Sequence, residues 1–311
     1  MAESQPTPLC YLRRHDAAKR SRRLWPASTP CTMAERAKLA VQFVINFEEG
    51  GEKSPLYGDS ESESFLLEQP TAPFTAQRNL SAESQYEYGS RAGFWRLHRL
   101  FTERRIPVTV FGVATALAQN PEAVSAMQEA DWEIASHGMR WRSYASMPCD
   151  EEREEIAKAI ALHTQVTGSR PLGWYTGGMS SSTRQLLAEA GGFRYESNSF
   201  CDDLPYWVRV GDQTQLIIPY IHDTNDMRYL TPFGFQSTFF EYLSGAFDLL
   251  HREGKTAPKM MTIGLHNRIA GRPGRAAELE RFLDHVLRHA DVWVTRRIDI
   301  AEHWHAYHPP R

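Results

Sequence analysis

Short apolar runs and longer amphipathic stretches alternate along most of the chain. Leu39–Phe47 places Val41, Phe43, Val44 and Ile45 in one run, which stops at two adjacent carboxylates, Glu48 and Glu49, followed by Gly50-Gly51. A run rich in Val, Ile and Phe reads as a buried strand, and the paired glycines as a tight turn at its C-terminal end. Val108–Val113 and Trp132–Ala135 read as the second and third strands, the third ending at Ser136-His137-Gly138. Leu172–Tyr175, Tyr195–Asn198, Leu216–Tyr220, Lys259–Leu265 and Val292–Val294 are predicted as further strands. Helical spacing covers Ser90–Arg104, with Phe94, Trp95, Leu97, Leu100 and Phe101 on one face, and then Pro121–Ala130, Glu151–Thr167, Ser180–Ala190, Ser237–Glu253, Arg275–His289 and Asp299–His305.

This alternation predicts an α/β fold with parallel strands and covering helices, about seven to eight β/α units and therefore close to a (β/α) barrel. Residues 1–36 read as an irregular arm and residues 37–311 as the barrel domain. The polar stretch 53–85 is too long for a plain connection, which points to a functional or oligomer-forming loop.

Composition narrows the class. The chain has 311 residues, 41% hydrophobic and 23% charged, the profile of a soluble globular protein with ample core. A formal charge of −3 gives no polybasic surface for nucleic acid. The basic cluster Arg13, Arg14, Lys19, Arg20, Arg22 and Arg23 reads as a solvated arm. The N-terminal segment carries no apolar core of signal-peptide length, no run is long enough for a membrane span, and Cys10, Cys31, Cys149 and Cys201 form no metal or disulfide pattern. A cytoplasmic protein without nucleic-acid or membrane partners is expected.

Candidate chemistry lies at three strand ends: Glu48 and Glu49, His137, and His266. A barrel gathers such ends into one pocket. Carboxylates with histidines suit hydrolysis: one carboxylate deprotonates water, while a histidine protonates a leaving nitrogen or supports an oxyanion.

The order and wording of the segments resemble the polysaccharide deacetylase (NodB-homology, carbohydrate esterase 4) superfamily, a distorted (β/α) barrel. They are most similar to its PuuE-type branch, the cofactor-independent allantoinases. The words that carry this are AVQFVINFEEGGE (40–52), DWEIASHGMRW (131–141), RPLGWYTGG (170–178), DDLPYW (202–207), DTNDMR (223–228) and MMTIGLHNR (260–268). Metal-dependent members carry an Asp pair after the first strand and two histidines four apart after the third. Glu48-Glu49 stands for the pair, His137 for the first histidine and Trp141 for the second. The resemblance therefore implies an amidohydrolase acting on a small cyclic amide, ureide or imide, with no cofactor and no metal.

It also implies catalytic roles for Glu48, Glu49, His137 and His266. Trp141, Trp174, Tyr175, Asp203, Trp207, Asp226, Arg228 and Arg268 become candidate substrate contacts, and a homo-oligomer, commonly a tetramer, is implied as well. Gly178 replaces an arginine of the branch, Glu196 and Asn198 fall where it carries aspartates, and Asn267 falls where a cysteine is usual. These departures point to a different substrate within the same chemistry. A metal-dependent sugar N-deacetylase and a non-catalytic barrel are the alternatives from other classes.

Overall fold

A computed structural model describes residues 37–230 and 238–310. The arm 1–36, with its basic cluster, lies outside the described residues, as does Ser237, the expected start of one helix.

The strands are β1 (Leu39–Phe47), β2 (Val108–Gly112), β3 (Glu133–Ser136), β4 (Gly173–Trp174), β5 (Tyr195–Glu196), β6 (Tyr206–Val210), β7 (Gln213–Ile217), β8 (Lys259–His266) and β9 (Val292–Val294). The helices are α1 (Leu80–Tyr88), α2 (Phe94–Glu103), α3 (Ala114–Gln119), α4 (Pro121–Glu129), α5 (Cys149–Thr167), α6 (Thr183–Ala190), α7 (Thr238–Glu253), α8 (Asn267–Ala270), α9 (Pro273–Val286) and α10 (Arg297–Tyr307). One sheet runs in the order β6-β7-β5-β4-β3-β2-β1-β8, with β9 also paired to β1. All pairs are parallel except β6–β7. The sheet curls, and the chain beyond β7 reaches β8 through a parallel bridge between Asn225 and Gly264. This is a distorted NodB-type barrel.

β1 and β9 match the sequence reading to the residue. Other elements differ. Tyr206–Val210, for which no strand was expected, opens an antiparallel hairpin, β6–β7, in place of a β/α unit, and the short helices α3 and α8 were not expected either. The helix expected from Ser90 begins ten residues earlier, at Leu80, and joins α2 through a π-helical turn, Gly89–Gly93. Helical spacing misses this join because the extra residue of a π turn breaks the 3.6-residue period.

Strand alternation builds two cores around one sheet. Leu39, Val41, Phe43, Ile45 and Phe47 of β1 face outward, against Phe94, Leu97, Phe101 and Phe282 of the covering helices. Ala40 and Val44 face inward, with Phe111, Tyr175 and Tyr220. Gln42 and Asn46 share that inner face and are buried, so the interior is partly polar. Its lower part is plugged by the buried Arg297, whose guanidinium donates to Gln42 (2.9 Å), Thr262 (3.1 Å), Ser197 (3.0 Å) and the Pro219 carbonyl (2.9 Å). These neutral oxygens partner both Nη groups of a charge that would otherwise be costlier to bury.

Candidate active site

The same alternation sorts the strand-end residues. Asn46 faces the barrel interior, so Glu48, two residues on, continues that face and reaches the mouth. Glu49 points the other way, into the packing between the strand end and the helices. The turn that follows needs Gly50 at φ 108° and a hydrogen bond from Gly51 N to the Glu48 carbonyl (2.7 Å). His137 leaves β3 on the inner side and His266 is the last residue of β8.

These groups converge. Glu48 Oε1 lies 3.6 Å from His137 Nε2 and 3.5 Å from His266 Nε2. Its Oε2 lies 2.8 Å from Arg268 Nη1, which is also 3.7 Å from Glu49 Oε1. His266 Nδ1 meets Asp226 Oδ1 at 2.6 Å. Asn267 donates to Glu49 Oε2 at 2.8 Å. Glu48, Glu49, His137, His266 and Arg268 are each at most 3% exposed. Gly89 of the π turn lets Glu49 fit: a Cβ there would meet Glu49 Oε1 at 2.3 Å.

Burial and charge give each group a distinct protonation. Burial alone would push the Glu48 carboxyl up, but His266 and Arg268, with His266 also hydrogen-bonded to it, pull it down to about 2. Burial likewise disfavours a charged His266, yet Glu48 and Asp226 hold it up at about 9. His137 is shifted down by burial, only partly opposed by Glu48, and is neutral at pH 7. Burial, with a smaller contribution from the Glu48 charge, raises Glu49. At neutral pH the centre is an anionic Glu48 held between a cationic His266, a cationic Arg268 and a neutral His137.

A cavity of about 320 Å³ opens over Glu48, His137 and His266. Tyr175, Tyr220 and Asn225 line one side, and Trp141 with Phe65 the other. Trp141 stacks on Phe65 with ring centres 5.9 Å apart. The polar stretch 53–85 is thus ordered and serves as a wall of the cavity through Glu63, Phe65 and Leu66.

Among the proposed substrate contacts, Trp141 and Tyr175 line the cavity. Asp226 and Arg268 stand directly behind His266 and Glu48. Trp174 does not contribute: it is fully buried on the opposite face of β4 from Tyr175, against Phe193. Asp203 pairs with Lys259 at the start of β8, the far end of that strand from His266. Trp207 donates to the His308 carbonyl and packs on His305, away from the cavity. Arg228 is exposed and outside the cavity lining. The sequence reading also missed Asn46 and Tyr220, joined at 2.9 Å, and Thr176, His222 and Asn225 in the lining. Asn46 had a signal: a polar residue on the inward alternation of an otherwise apolar strand. Gly178 lines the cavity beside Ser143 and Arg142, whose guanidinium is engaged by Glu155 at 3.0 Å and Glu151 at 3.5 Å.

The metal of the metal-dependent barrels that the sequence resembles does not fit these side chains. The Arg268 guanidinium occupies the carboxylates as their cation, seated on Tyr86 (4.2 Å) and Trp141 (5.1 Å). Trp141 offers no donor where a ligand would be needed, and a divalent ion at Glu48 and Glu49 would have to displace a buried guanidinium.

The family model described as polysaccharide deacetylase matches residues 81–195. A Schizosaccharomyces pombe protein whose name places it with the polysaccharide deacetylases is 42% identical over 296 residues, which is 88% of this chain and 92% of that one. The crystal structure of a Pseudomonas aeruginosa PAO1 protein whose name also places it there is 51% identical, covering 88% of this chain and 93% of that one, with a TM-score of 0.86. The crystal structure of Puue allantoinase is 49% identical, covering 91% of this chain and 96% of that one, with a TM-score of 0.89.

Proposed function

This chain belongs to the polysaccharide deacetylase family, whose relatives hydrolyse carbon–nitrogen bonds other than peptide bonds, and from that premise we propose an allantoinase-like amidohydrolase acting on a small cyclic amide, ureide or imide. The carrying observation is the convergence of Glu48 with His137 and His266 beneath a cavity of about 320 Å³. A cavity of that size, walled by Phe65 and Trp141, suits a small planar ring better than a polymer strand.

In the proposed mechanism, water sits between Glu48 Oε1 and His137 and attacks the ring carbonyl. A carboxylate held at about 2 is a weak base while its neighbours stay charged. That changes during the reaction. As the C–N bond breaks, His266 passes its Nε2 proton to the departing nitrogen, and one of the two cations that depress Glu48 is neutralised while Arg268 remains. Glu48 then accepts the water proton. The two transfers are coupled, because each favours the other. The products are a carboxylic acid and a free amine or ureido nitrogen, and the proton on Glu48 restores His266. Neutral His137 orients the water. Arg268 holds Glu48 in place and supplies the fixed positive charge of the site without a metal.

A sugar N-deacetylase is the second reading, favoured by the names of the Schizosaccharomyces pombe and Pseudomonas aeruginosa relatives. Purified, metal-stripped protein should be screened against allantoin, hydantoins, cyclic imides and lactams, alongside N-acetylated oligosaccharides. Turnover of a ring substrate that is lost in Glu48→Gln supports the proposal. Turnover only of N-acetylated sugar, restored by added metal, would overturn it. We further propose a homo-oligomer in the cytoplasm, which gel filtration and fractionation check.

A further inference from the structure

A second cluster of histidines lies at the opposite end of the strands from the cavity, where the mechanism uses nothing. His251, near the C-terminal end of α7, His289, just after α9, and Asp291, just before β9, each bring one donor atom within 4.8 Å of the others. We propose that these three residues form a binding site for a divalent transition-metal ion of the zinc class, with a structural role.

The donor set is right for such an ion: two imidazole nitrogens and one carboxylate oxygen, leaving a position for water. The parts are also pre-aligned. His251 Nε2 already lies 2.8 Å from Asp291 Oδ1. The other oxygen, Oδ2, accepts from Lys38 Nζ at 2.5 Å, so the carboxylate is oriented from behind and offers one oxygen forward. The Lys38 charge opposes a second cation and limits affinity, whereas the carboxylate it orients offsets part of that cost. Packing fixes the rings. His251 stacks on Phe247 at 5.7 Å and 7°, and His289 packs against both Phe247 (5.0 Å) and His251 (4.9 Å). Burial, with the neighbouring His251 and His285, shifts His289 toward its neutral, ligating form. The adjacent His285 is not a ligand, because Nε2 faces Asp248 (3.0 Å) and Nδ1 faces Arg288 (2.8 Å).

The position explains the role. The three donors join α7 to the link between α9 and β9. Lys38 adds the entry to β1, where its backbone N–H donates to the Asp291 carbonyl at 3.0 Å. An ion there would fasten segments far apart in sequence at the N-terminal end of the strands, the end of a barrel associated with stability rather than chemistry. Metal found in the purified protein would then report this clamp and not the catalytic centre.

The test is a titration of metal-free, full-length protein with Zn²⁺ against a chromophoric chelator, repeated with Co²⁺ read by its visible absorption. We expect about one equivalent bound and a rise in thermal midpoint on adding Zn²⁺. His289→Ala and, separately, His289→Gln and Asp291→Asn should weaken binding at least about tenfold and abolish that rise. His285→Ala should keep both. Turnover of the metal-free variants should equal that of the metal-free wild type. Absence of stoichiometric binding, binding unchanged in all three ligand variants, or binding lost in Glu49→Gln instead would each overturn the proposal. Because binding is read without substrate, failure here leaves the ring-hydrolase reading standing, and the reverse also holds.

Discussion

Asp226 holds His266 at two points: its Oδ1 lies 2.6 Å from the ring Nδ1, and its Oδ2 accepts the backbone N–H of His266 at 2.7 Å. The same Oδ2 also accepts from Ala270 N at 3.1 Å, so the carboxylate is fixed by β8 and α8 together. This pins the ring with Nε2 toward Glu48 and supplies part of the charge that keeps the imidazole protonated to about 9. Asp226→Asn should therefore leave the fold intact but lower the His266 pKa toward the ordinary value near ~6.5. The basic limb of the kcat/KM profile should move down from about 9, with the Glu48 charge still holding part of the shift. A profile that keeps its basic limb would show that His266 is not the acid.

Stability should depend on pH through the same ions. His266 is raised from 6.5 to about 9, so its contribution is full below 6.5 and is lost as pH rises through about 9. Glu48 is lowered from 4.5 to about 2, so its contribution is full above 4.5 and is lost as pH falls toward about 2. In denaturant unfolding these two groups together contribute a plateau between those windows, on which the raised Glu49 superimposes a loss as pH rises above 4.5 and the lowered His137 a gain as pH rises to 6.5. Glu48→Gln leaves Arg268 and His266 buried without their shared anion, which typically costs about 3–5 kcal/mol. Its acid-side slope should flatten, and turnover should fall by about 10²–10⁴-fold.

Much of this was legible in the sequence because strand ends are marked by chemistry. The apolar run Leu39–Phe47 ending in Glu48 located both the strand that pairs with β2, β8 and β9 and the carboxylate that reaches the cavity beside His137 and His266. His137 and His266 were found the same way. What stayed hidden depends on which face a side chain takes. Trp174 and Tyr175 are adjacent and equally aromatic, yet β4 sends one into the outer core and the other into the cavity wall. A strand of two residues, Gly173–Trp174, is too short to show its alternation. Trp207 lies in the hairpin that was not anticipated, so its placement failed with the topology. The Arg268 contact with Glu48 depends on α8, a single helical turn whose direction no local pattern encodes.

Opposite effects are expected at that aromatic pair. Trp174→Ala removes a fully buried indole packed against Phe193 and should cost about 3–5 kcal/mol, read as a lower denaturation midpoint. The folded fraction should keep its KM. Tyr175→Ala opens the wall beside His137, whose ring centre lies 4.9 Å away, and should raise KM and lower kcat. If Trp174→Ala changed KM and Tyr175→Ala did not, the assignment of faces would be wrong.

Phe65 separates wall from chemistry most cleanly. It comes from the 53–85 stretch, is itself 57% exposed, and stacks on Trp141 at 5.9 Å and 26°. Trp141 in turn covers Arg268 at 5.1 Å, so the stack closes one side of the cavity without touching Glu48. An aromatic pair of this kind is worth about 0.5–1.5 kcal/mol beyond area burial, and here that energy is available to a bound ring. Phe65→Ala should raise KM by roughly 2- to 10-fold, the equivalent of that range, with kcat nearly unchanged. Phe65→Leu, which keeps apolar bulk but not the stack, should fall between. A loss confined to kcat would mean that the loop positions the reacting groups rather than the substrate, and the cavity wall would have to be reassigned to Glu63 and Leu66.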